Sequence, residues 1–438
     1  MSNRLLIGNL AGTSRIRLAK PGFDVTDPAL RDEDLVYDSA WPEILNIHAV
    51  NWSTSGGSWI TYGDTTKNYN FAKNFSFPTL PFVPMGLAWD VASNIGSTDA
   101  QKIYKTRYLP KPCIMYNNSI SVMTSANNTS APISCCYMVF NKPLLYADPA
   151  EADNGGANSM LLGNHPTRGS GLWISRRGAD VMTCGDADLT LSTLKQNLQV
   201  REYGSFSGNY ETSGAYIGWI RGTLKLSQSY PNHPPVLFRG AENGVGAPNN
   251  NTFGQSEWGW ISDTEIYYIL YGALGSQNIY WTILDYDSSY VPGPDSASTP
   301  RVLANADVGL WISKKNVDVT TASEGDLLLR TDRSVLSVKQ RINYTNTSGS
   351  VNIGGIATNT NLTAPPLTIF GWTVDDLNYC VPQAAELNPY RNYYRRGSGV
   401  SVPASIAVVA GYSGNTVAYS FQAGTATRNF RAAVIEHS

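Results

Sequence analysis

The side chains that usually carry out catalysis are few in this chain and form no catalytic motif. Nucleophilic hydrolysis by serine or cysteine needs a histidine base, and the 438 residues contain only His48, His165, His233 and His437. None of them accompanies a nucleophile elbow of the form GxSxG. His437 is the penultimate residue, and His233 lies in a proline-rich segment. The sequence therefore predicts no nucleophilic enzyme.

Metal sites are not predicted either. Zinc takes cysteine and histidine ligands at close spacing, and the five cysteines form no CxxC pair. Acidic pairs could supply oxygen ligands for calcium, but none follows the twelve-residue loop pattern. We interpret the acidic pairs as solvated turns and the cysteines as buried thiols. The acidic pairs lie at 32–34, 186–188, 285–287 and 375–376, and the cysteines are Cys113, Cys135, Cys136, Cys184 and Cys380. We expect no metal and no other cofactor.

Two aromatic clusters are the candidate ligand or interface residues. Trp258 and Trp260 follow an asparagine-rich loop; exposed rings would stack on a sugar, and buried rings would fill a core. The second cluster combines aromatic rings with cations, a mixture that is enriched at subunit interfaces. It comprises Tyr393, Tyr394, Arg395 and Arg396. This cluster fits a lectin surface, an interface with another subunit or an ordinary surface loop.

Composition indicates a β protein. Gly (39), Pro (24) and Tyr (25) are abundant, which favours short strands joined by many turns. The net charge is only -2, so no strong field attracts nucleic acid. No apolar run reaches the roughly 18 residues of a membrane span, and the N-terminus lacks the apolar region of a signal peptide. We predict neither a nucleic-acid partner nor membrane insertion.

An internal repeat organises the chain. Residues 171–181 read GLWISRRGADV, residues 309–319 read GLWISKKNVDV, and residues 15–25 read RIRLAKPGFDV as a weaker copy. An Asp-Leu step and an alternating apolar stretch follow each copy, and a proline-rich segment follows in turn. An apolar strand recurs around Tyr137–Phe140, Tyr280–Ile283 and Tyr419–Phe421. Three ordered landmarks at similar spacing indicate three copies of one unit.

The repeated motif contains a predicted turn. Gly22, Gly178 and Asn316 occupy the same place in the three copies, and glycine and asparagine are the residues that best tolerate the positive φ of a type II turn. An aspartate follows two residues later in each copy, as Asp24, Asp180 and Asp318. We expect these carboxylates to accept backbone N–H groups at the exit of the turn.

A period near 140 residues is too long for a solenoid repeat, so each copy is expected to have its own core. The prediction is an all-β protein of three tandem, related, antiparallel β-sandwich-like domains, at residues 1–170 (divergent), 171–308 and 309–438. In the last copy we predict a closing hairpin of strands 405–409 and 416–421 around a turn at 411–415.

The motif GLWISKKxxDV, followed by DLLL at 326–329, resembles a segment that recurs in small virion proteins of tailed bacteriophages, often associated with the tail tip or fibres. The match covers about 20 residues in each copy. Copy one departs from it, with Leu18-Ala19 in place of Trp-Ile-Ser. The resemblance implies a structural component without catalytic residues.

These observations predict a non-enzymatic virion structural protein of the tail or tail-fibre apparatus. Its expected partners are other virion proteins and copies of itself, and its expected location is the virion, assembled in the host bacterial cytoplasm. Tandem domains multiply the contact area and the valency of such a protein. The alternative is a host-surface glycan or receptor binder that uses the aromatic clusters. A glycan depolymerase with paired carboxylates ranks third.

Overall fold

The computed structural model consists of β-strands and their connections, with no α-helix in the part of the chain that it describes. It describes residues 5–10, 13–19, 22–27, 30, 35–38, 43–44, 47–54, 58–61, 71–97, 99–111, 113–123, 134–143, 160–175, 179–185, 188–193, 198–209, 211, 219–241, 257–271, 276–285, 300–305, 309–323, 326–330, 336–346, 350–357, 367–374, 377–382, 409–413, 416–422 and 428–437. Within these residues, no helix is long and apolar enough to cross a bilayer.

The described strands fall into three successive groups, which we call copies one, two and three. Copy one contains β1 (Leu5–Leu10), β2 (Thr13–Ala19), β3 (Leu35–Asp38), β4 (Glu43–Ile44), β5 (Ile47–Thr54), β6 (Ser58–Thr61), β7 (Phe71–Ser76), β8 (Pro84–Gly96), β9 (Ile103–Lys111), β10 (Cys113–Met115), β11 (Ser119–Met123) and β12 (Ser134–Pro143). Copy two contains β13 (Met160–His165), β14 (Gly169–Ser175), β15 (Leu189–Ser192), β16 (Gln199–Asn209), β17 (Trp219–Lys225), β18 (Val236–Ala241), β19 (Glu257–Ser262), β20 (Glu265–Tyr271) and β21 (Ser276–Asp285). Copy three contains β22 (Val302–Asn305), β23 (Gly309–Ser313), β24 (Leu327–Arg330), β25 (Leu336–Asn346), β26 (Ser350–Ala357), β27 (Leu367–Val374), β28 (Leu377–Pro382), β29 (Val409–Ser413), β30 (Thr416–Gln422) and β31 (Arg428–His437).

Each copy begins with the same small antiparallel sheet, which we call the motif sheet. The strand orders are β1-β2-β3, β13-β14-β15 and β22-β23-β24, and the repeated motif forms the central strand each time. The pairing of the central and third strands shifts register at the same place in all three copies: after Leu18, after Ile174 and after Ile312. The repeat seen in the sequence is therefore a repeat in strand pairing as well.

The rest of each copy also follows one plan. The first long strand after the motif sheet pairs with the last strand of the copy, which pairs in turn with the strand after the proline-rich segment. These orders are β5-β12-β8, β16-β21-β18 and β25-β31-β27, and in copy one the two-residue strand β4 comes before β5. A second set of three strands has the orders β7-β11-β10, β17-β20-β19 and β26-β30-β29.

Strands from different copies share sheets. Strand β9 of copy one pairs with β19 of copy two in a seven-stranded sheet, and β28 of copy three pairs with β10 of copy one in a nine-stranded sheet. The all-β antiparallel fold is confirmed. A division into three separate sandwiches is not, because these pairings cross between copies, and the boundaries at 170 and 308 stay a prediction. The repeated strand pattern itself begins earlier, at β13 and β22.

Two sequence predictions need correction. The closing hairpin is β29 with β30, and Ser413 lies opposite Thr416, which leaves only Gly414-Asn415 as the connection. The first strand therefore ends at Ser413 and not at 409, and residues 405–408 of the predicted strand lie outside the described residues. The recurring apolar strand was wrongly placed at Tyr419–Phe421, because the strand of copy three that occupies the place of β12 and β21 is β31.

Among the side chains that the structure describes, the largest hydrophobic core is shared by copies one and two. It contains buried aromatic side chains of both, among them Trp89, Phe140, Phe238 and Trp258. Burying a large side chain contributes about 1.5–3 kcal/mol, so this common core holds the two copies together.

Candidate functional site

The aspartates of the motif have the structural role that the sequence predicts. The backbone N–H groups of Thr26, Met182 and Thr320 each donate to the Oδ1 atom of the aspartate two residues earlier, at 2.9 Å in all three copies. The carbonyl of each aspartate accepts a second backbone N–H, three residues later, at 3.1 Å. Asp24, Asp180 and Asp318 therefore build one turn three times.

The residues before the aspartates agree with this geometry. Gly22 has φ 93° and Asn316 has φ 61°, the left-handed conformation that the predicted turn requires. Gly178 lies outside the described residues. The hydroxyl groups of Ser175 and Ser313 donate to carbonyl oxygens four residues later at 2.5 Å, and copy one has Ala19 in this place. The turn thus forms without that hydroxyl in the divergent copy.

The three motif sheets meet in one apolar cluster, which we call the hub. The same face of each central strand contributes two side chains, and the third strands of copies two and three add more. The hub consists of Ile16, Leu18, Leu172, Ile174, Leu191, Leu310, Ile312, Leu328 and Leu329, with Leu5 and Val302 packed against it. The nine hub residues from Ile16 to Leu329 are each at least nine-tenths buried, and Leu5 and Val302 are partly buried. The repeated motif is therefore one contact by which all three copies pack against one another.

The opposite face of the motif sheets carries small separate clusters. In copy one Val25 and Leu35 pack with Leu6, and in copy two Val181 and Leu189 pack with Leu161. The valine that follows each motif aspartate is buried in all three copies, as Val25, Val181 and Val319. The motif sheets of copies one and two thus have apolar contacts on both faces.

The tryptophans proposed as ligand residues are core residues. Trp258 is 1% exposed and Trp260 is 0% exposed. Their indole N–H groups donate to the carbonyl oxygens of Val236 at 2.7 Å and Pro234 at 2.8 Å. A sugar needs an open ring face for stacking, and neither ring presents one. The other proposed residues, Tyr393, Tyr394, Arg395 and Arg396, lie outside the described residues.

A hydroxyl, an imidazole and a carboxylate meet at the joint between β9 and copy two. His233 Nδ1 lies 3.0 Å from Thr106 Oγ1, and His233 Nε2 lies 3.0 Å from Asp263 Oδ1. Lys105 Nζ is 3.4 Å from the same carboxylate, and the imidazole stacks on Trp260 with a centroid distance of 5.4 Å. The hydrogen bond from His233, followed by the contact with Lys105, lowers the pKa of Asp263.

This arrangement fastens the proline-rich segment of copy two to copy one. The Tyr108 hydroxyl donates to the His233 carbonyl at 2.7 Å, and His233 has φ 43°, a strained value for a residue other than glycine. Sequence reasoning missed the cluster because Thr106 and His233 are 127 positions apart. The proline-rich segment was the only local signal.

Buried ion pairs add to the same joint. Asp99 of copy one accepts hydrogen bonds from Arg221 at 2.8 Å and from Tyr267 at 2.7 Å, both of copy two. Burial opposes ionisation of Asp99, but hydrogen bonds led by that of Ser97 lower its pKa. Glu257 of copy two accepts from Tyr104 and Arg107 of copy one, both at 3.2 Å. Polar and apolar contacts therefore join the two copies along one sheet.

The described residues contain no group of three or more His, Cys, Asp or Glu side chains that could hold a metal ion. Of the cysteines predicted to be buried thiols, Cys113, Cys135 and Cys136 are buried and Cys184 is half-buried. Burial raises the pKa of the Cys135 and Cys136 thiols well above the ordinary value, which makes them poor nucleophiles. The side chain of Cys380 lies outside the described part.

Comparison with known proteins adds no relative: no family model, no curated protein and no solved structure matches this chain.

Proposed function

We propose that this chain is a non-enzymatic structural protein of a bacteriophage virion, part of the tail or tail-fibre apparatus, that acts through protein–protein contacts. The observation that carries the proposal is the hub. The residues that resemble the phage virion segment are the residues with which the three copies pack together. The motif therefore has a structural role, which is to pack the three copies together, and such a role fits a building block of a particle.

The contacts between copies support a rigid building block. Copies one and two share a sheet, a core and buried ion pairs, and copies three and one share the nine-stranded sheet. Rigid pre-organised surfaces lose little entropy when they bind a partner. Three related copies in one chain also offer several contact surfaces at once. The partners we propose are other virion proteins and copies of this chain, assembled in the host bacterial cytoplasm.

Receptor binding has less support than assembly through protein–protein contacts. One of the two aromatic clusters behind the glycan hypothesis required exposed tryptophans, and Trp258 and Trp260 are buried and hydrogen-bonded to backbone carbonyls. The observed role of these rings is packing in the core that joins copies one and two.

The direct test is to look for the chain in particles. Antibodies raised against the recombinant protein are used for immunogold labelling of gradient-purified particles of the phage that encodes it, with parallel mass spectrometry of the same particles. Labelling at one fixed position on the tail and a constant number of chains per particle are expected. Absence of the chain from purified particles would overturn the proposal.

Size-exclusion chromatography with multi-angle light scattering tests the partners. A symmetric multiple of the 47.6 kDa chain would show that copies of the chain bind one another. A 47.6 kDa monomer would remove self-association from the proposal and leave other virion proteins as its partners.

A further inference from the structure

The joint between copies three and one brings two of the five cysteines together. Cys113 in β10 and Cys380 in β28 are Cα partners in the antiparallel pairing of these strands. They are 267 positions apart in the sequence. The pairing therefore brings together one thiol-bearing residue of copy one and one of copy three.

The backbone geometry of such a pair suits a disulfide bond. Directly opposed residues of an antiparallel pair have Cα atoms about 4.5–5.5 Å apart and Cβ atoms on the same face of the sheet. A disulfide needs Cα atoms about 4.4–6.8 Å apart. The other described cysteines have no such partner, since Cys135 lies opposite Asp90 and Thr54 and Cys136 lies opposite Trp89.

The equivalent joint between copies one and two has an aromatic pair where the two cysteines lie opposite each other. There Trp258 lies opposite Tyr108, and both rings are buried in the shared core. Strand β10 has the place of β19, and β28 has the place of β9, so Cys113 and Cys380 occupy the positions of that aromatic pair. Two small side chains replace two large ones, and a covalent bond would supply the attachment that the aromatic contact supplies elsewhere.

We propose that Cys113 and Cys380 form an intramolecular disulfide when the folding chain meets a small-molecule disulfide such as glutathione disulfide. One cysteine thiolate attacks glutathione disulfide, forms a mixed disulfide and releases one glutathione thiolate. The second cysteine thiolate attacks the protein sulfur of the mixed disulfide and releases the second glutathione. Two protein thiols are oxidised to one disulfide, and one glutathione disulfide is reduced to two glutathione molecules.

The bond would fasten copy three to copy one at the point where the nine-stranded sheet passes between them. Strands β10 and β28 would then be joined by a covalent bond as well as by their backbone pairing. In the unfolded state the same bond would close the large loop between the two cysteines. The inference does not depend on the proposed virion function.

The test is disulfide mapping of the full-length chain. The reduced protein is unfolded in urea and refolded by dilution into a glutathione redox buffer, alkylated, digested and analysed by mass spectrometry. We expect a cross-linked peptide pair that joins Cys113 to Cys380, three alkylated thiols, and a midpoint of thermal unfolding about 5 °C above that of the reduced protein. Treatment with a reducing agent should reverse the shift.

Variants distinguish this pairing from random oxidation. Cys113→Ser and Cys380→Ser should each abolish the cross-linked pair and the thermal shift, while Cys184→Ser should keep both. Refolded wild-type protein that retains five free thiols, or that joins other cysteines as often as Cys113 and Cys380, would overturn the proposal. Mapping of the wild type decides the matter even where a variant fails to fold.

Discussion

At the scale of single residues, the motif aspartates show how a short local pattern can be predicted. The donor N–H lies two residues after the carboxylate in every copy, so all of the information lies in a few consecutive letters. The His233 cluster could not be predicted in this way, because Thr106 in β9 and Asp263 in the turn between β19 and β20 come together only in the folded chain. The burial of Trp258 and Trp260 was left open for the same reason.

The motif aspartate gives a pH-dependent prediction. The hydroxyl and backbone N–H of Thr320 hold the pKa of Asp318 below its ordinary value. A lowered pKa means that the carboxylate stabilises the folded state above the unfolded-state pKa of about 3.9, and that this stabilisation is lost as the pH falls through the folded-state pKa. Asp318→Ala should therefore lower the urea midpoint at pH 7, and the gap to wild type should narrow below about pH 4.

The matched control for that experiment is Asp318→Asn, which keeps an oxygen acceptor and cannot titrate. Its difference from Asp318→Ala should be the same at both pH values. A gap between wild type and Asp318→Ala that does not change with pH would contradict stabilisation by the ionised form of the Asp318 carboxyl group.

Trp260 gives a prediction about packing. Trp260→Ala should lower the free energy of unfolding by about 3–5 kcal/mol, because a fully buried indole leaves a cavity. Trp260→Phe should cost less, since it keeps most of the volume and loses mainly the hydrogen bond to Pro234. Chemical denaturation followed by circular dichroism measures both. An unchanged stability of Trp260→Ala would contradict a core position.

At the scale of secondary-structure elements, alternation and repetition were sufficient for the motif strands, and less so for later strands. The central strands β2, β14 and β23 carry the repeated letters, and each copy supports the assignment of the others. The hairpin β29–β30 was misplaced because apolar residues continue on both sides of Val409, so the pattern alone did not show where the first strand ends.

The pairing of β9 with β19 depends on a glycine. A Cβ atom on Gly259 would lie 2.6 Å from the Thr106 carbonyl oxygen and 2.9 Å from the Arg107 Cα atom. Both contacts are with backbone of copy one, which cannot move aside cheaply. Gly259→Ala should therefore destabilise the protein by about 1–3 kcal/mol, measured as a shift in the urea midpoint.

Gly96, at the end of β8 in the same sheet, is the control for that substitution. A Cβ atom there has no neighbour within 4 Å, and Gly96→Ala should be neutral or slightly stabilising. Equal effects of the two substitutions would mean that β9 and β19 are not in close contact.

At the scale of the whole molecule, the number of copies was visible in the sequence and their arrangement was not. A repeat shows that units are related, but the choice of sheet partner depends on which strand edges meet, and no spacing reveals that. The expectation that each copy has its own core was too simple, since Trp89 of copy one and Trp258 of copy two belong to one cluster. The hub likewise draws its side chains from all three copies.

This arrangement predicts how fragments behave. Residues 160–300, which contain β13 to β21, lose three sets of contacts when they are expressed alone: the β9 partner of β19, the hub contacts of the other copies and the copy-one part of the shared core. We expect this fragment to show poor dispersion of amide resonances and no cooperative thermal transition, whereas the full chain unfolds cooperatively. A fragment that folds with a sharp transition would restore the three-domain interpretation.

The hub also joins three copies that belong to one chain, and this sets the reaction order of its formation. Three separate polypeptides that met in such a cluster would form it in a third-order equilibrium, and their stability would fall on dilution. In this protein the chain connections supply the encounter, so the cluster of Ile16, Leu172, Leu310 and their neighbours assembles in a first-order reaction. Its stability is then independent of the concentration of the protein.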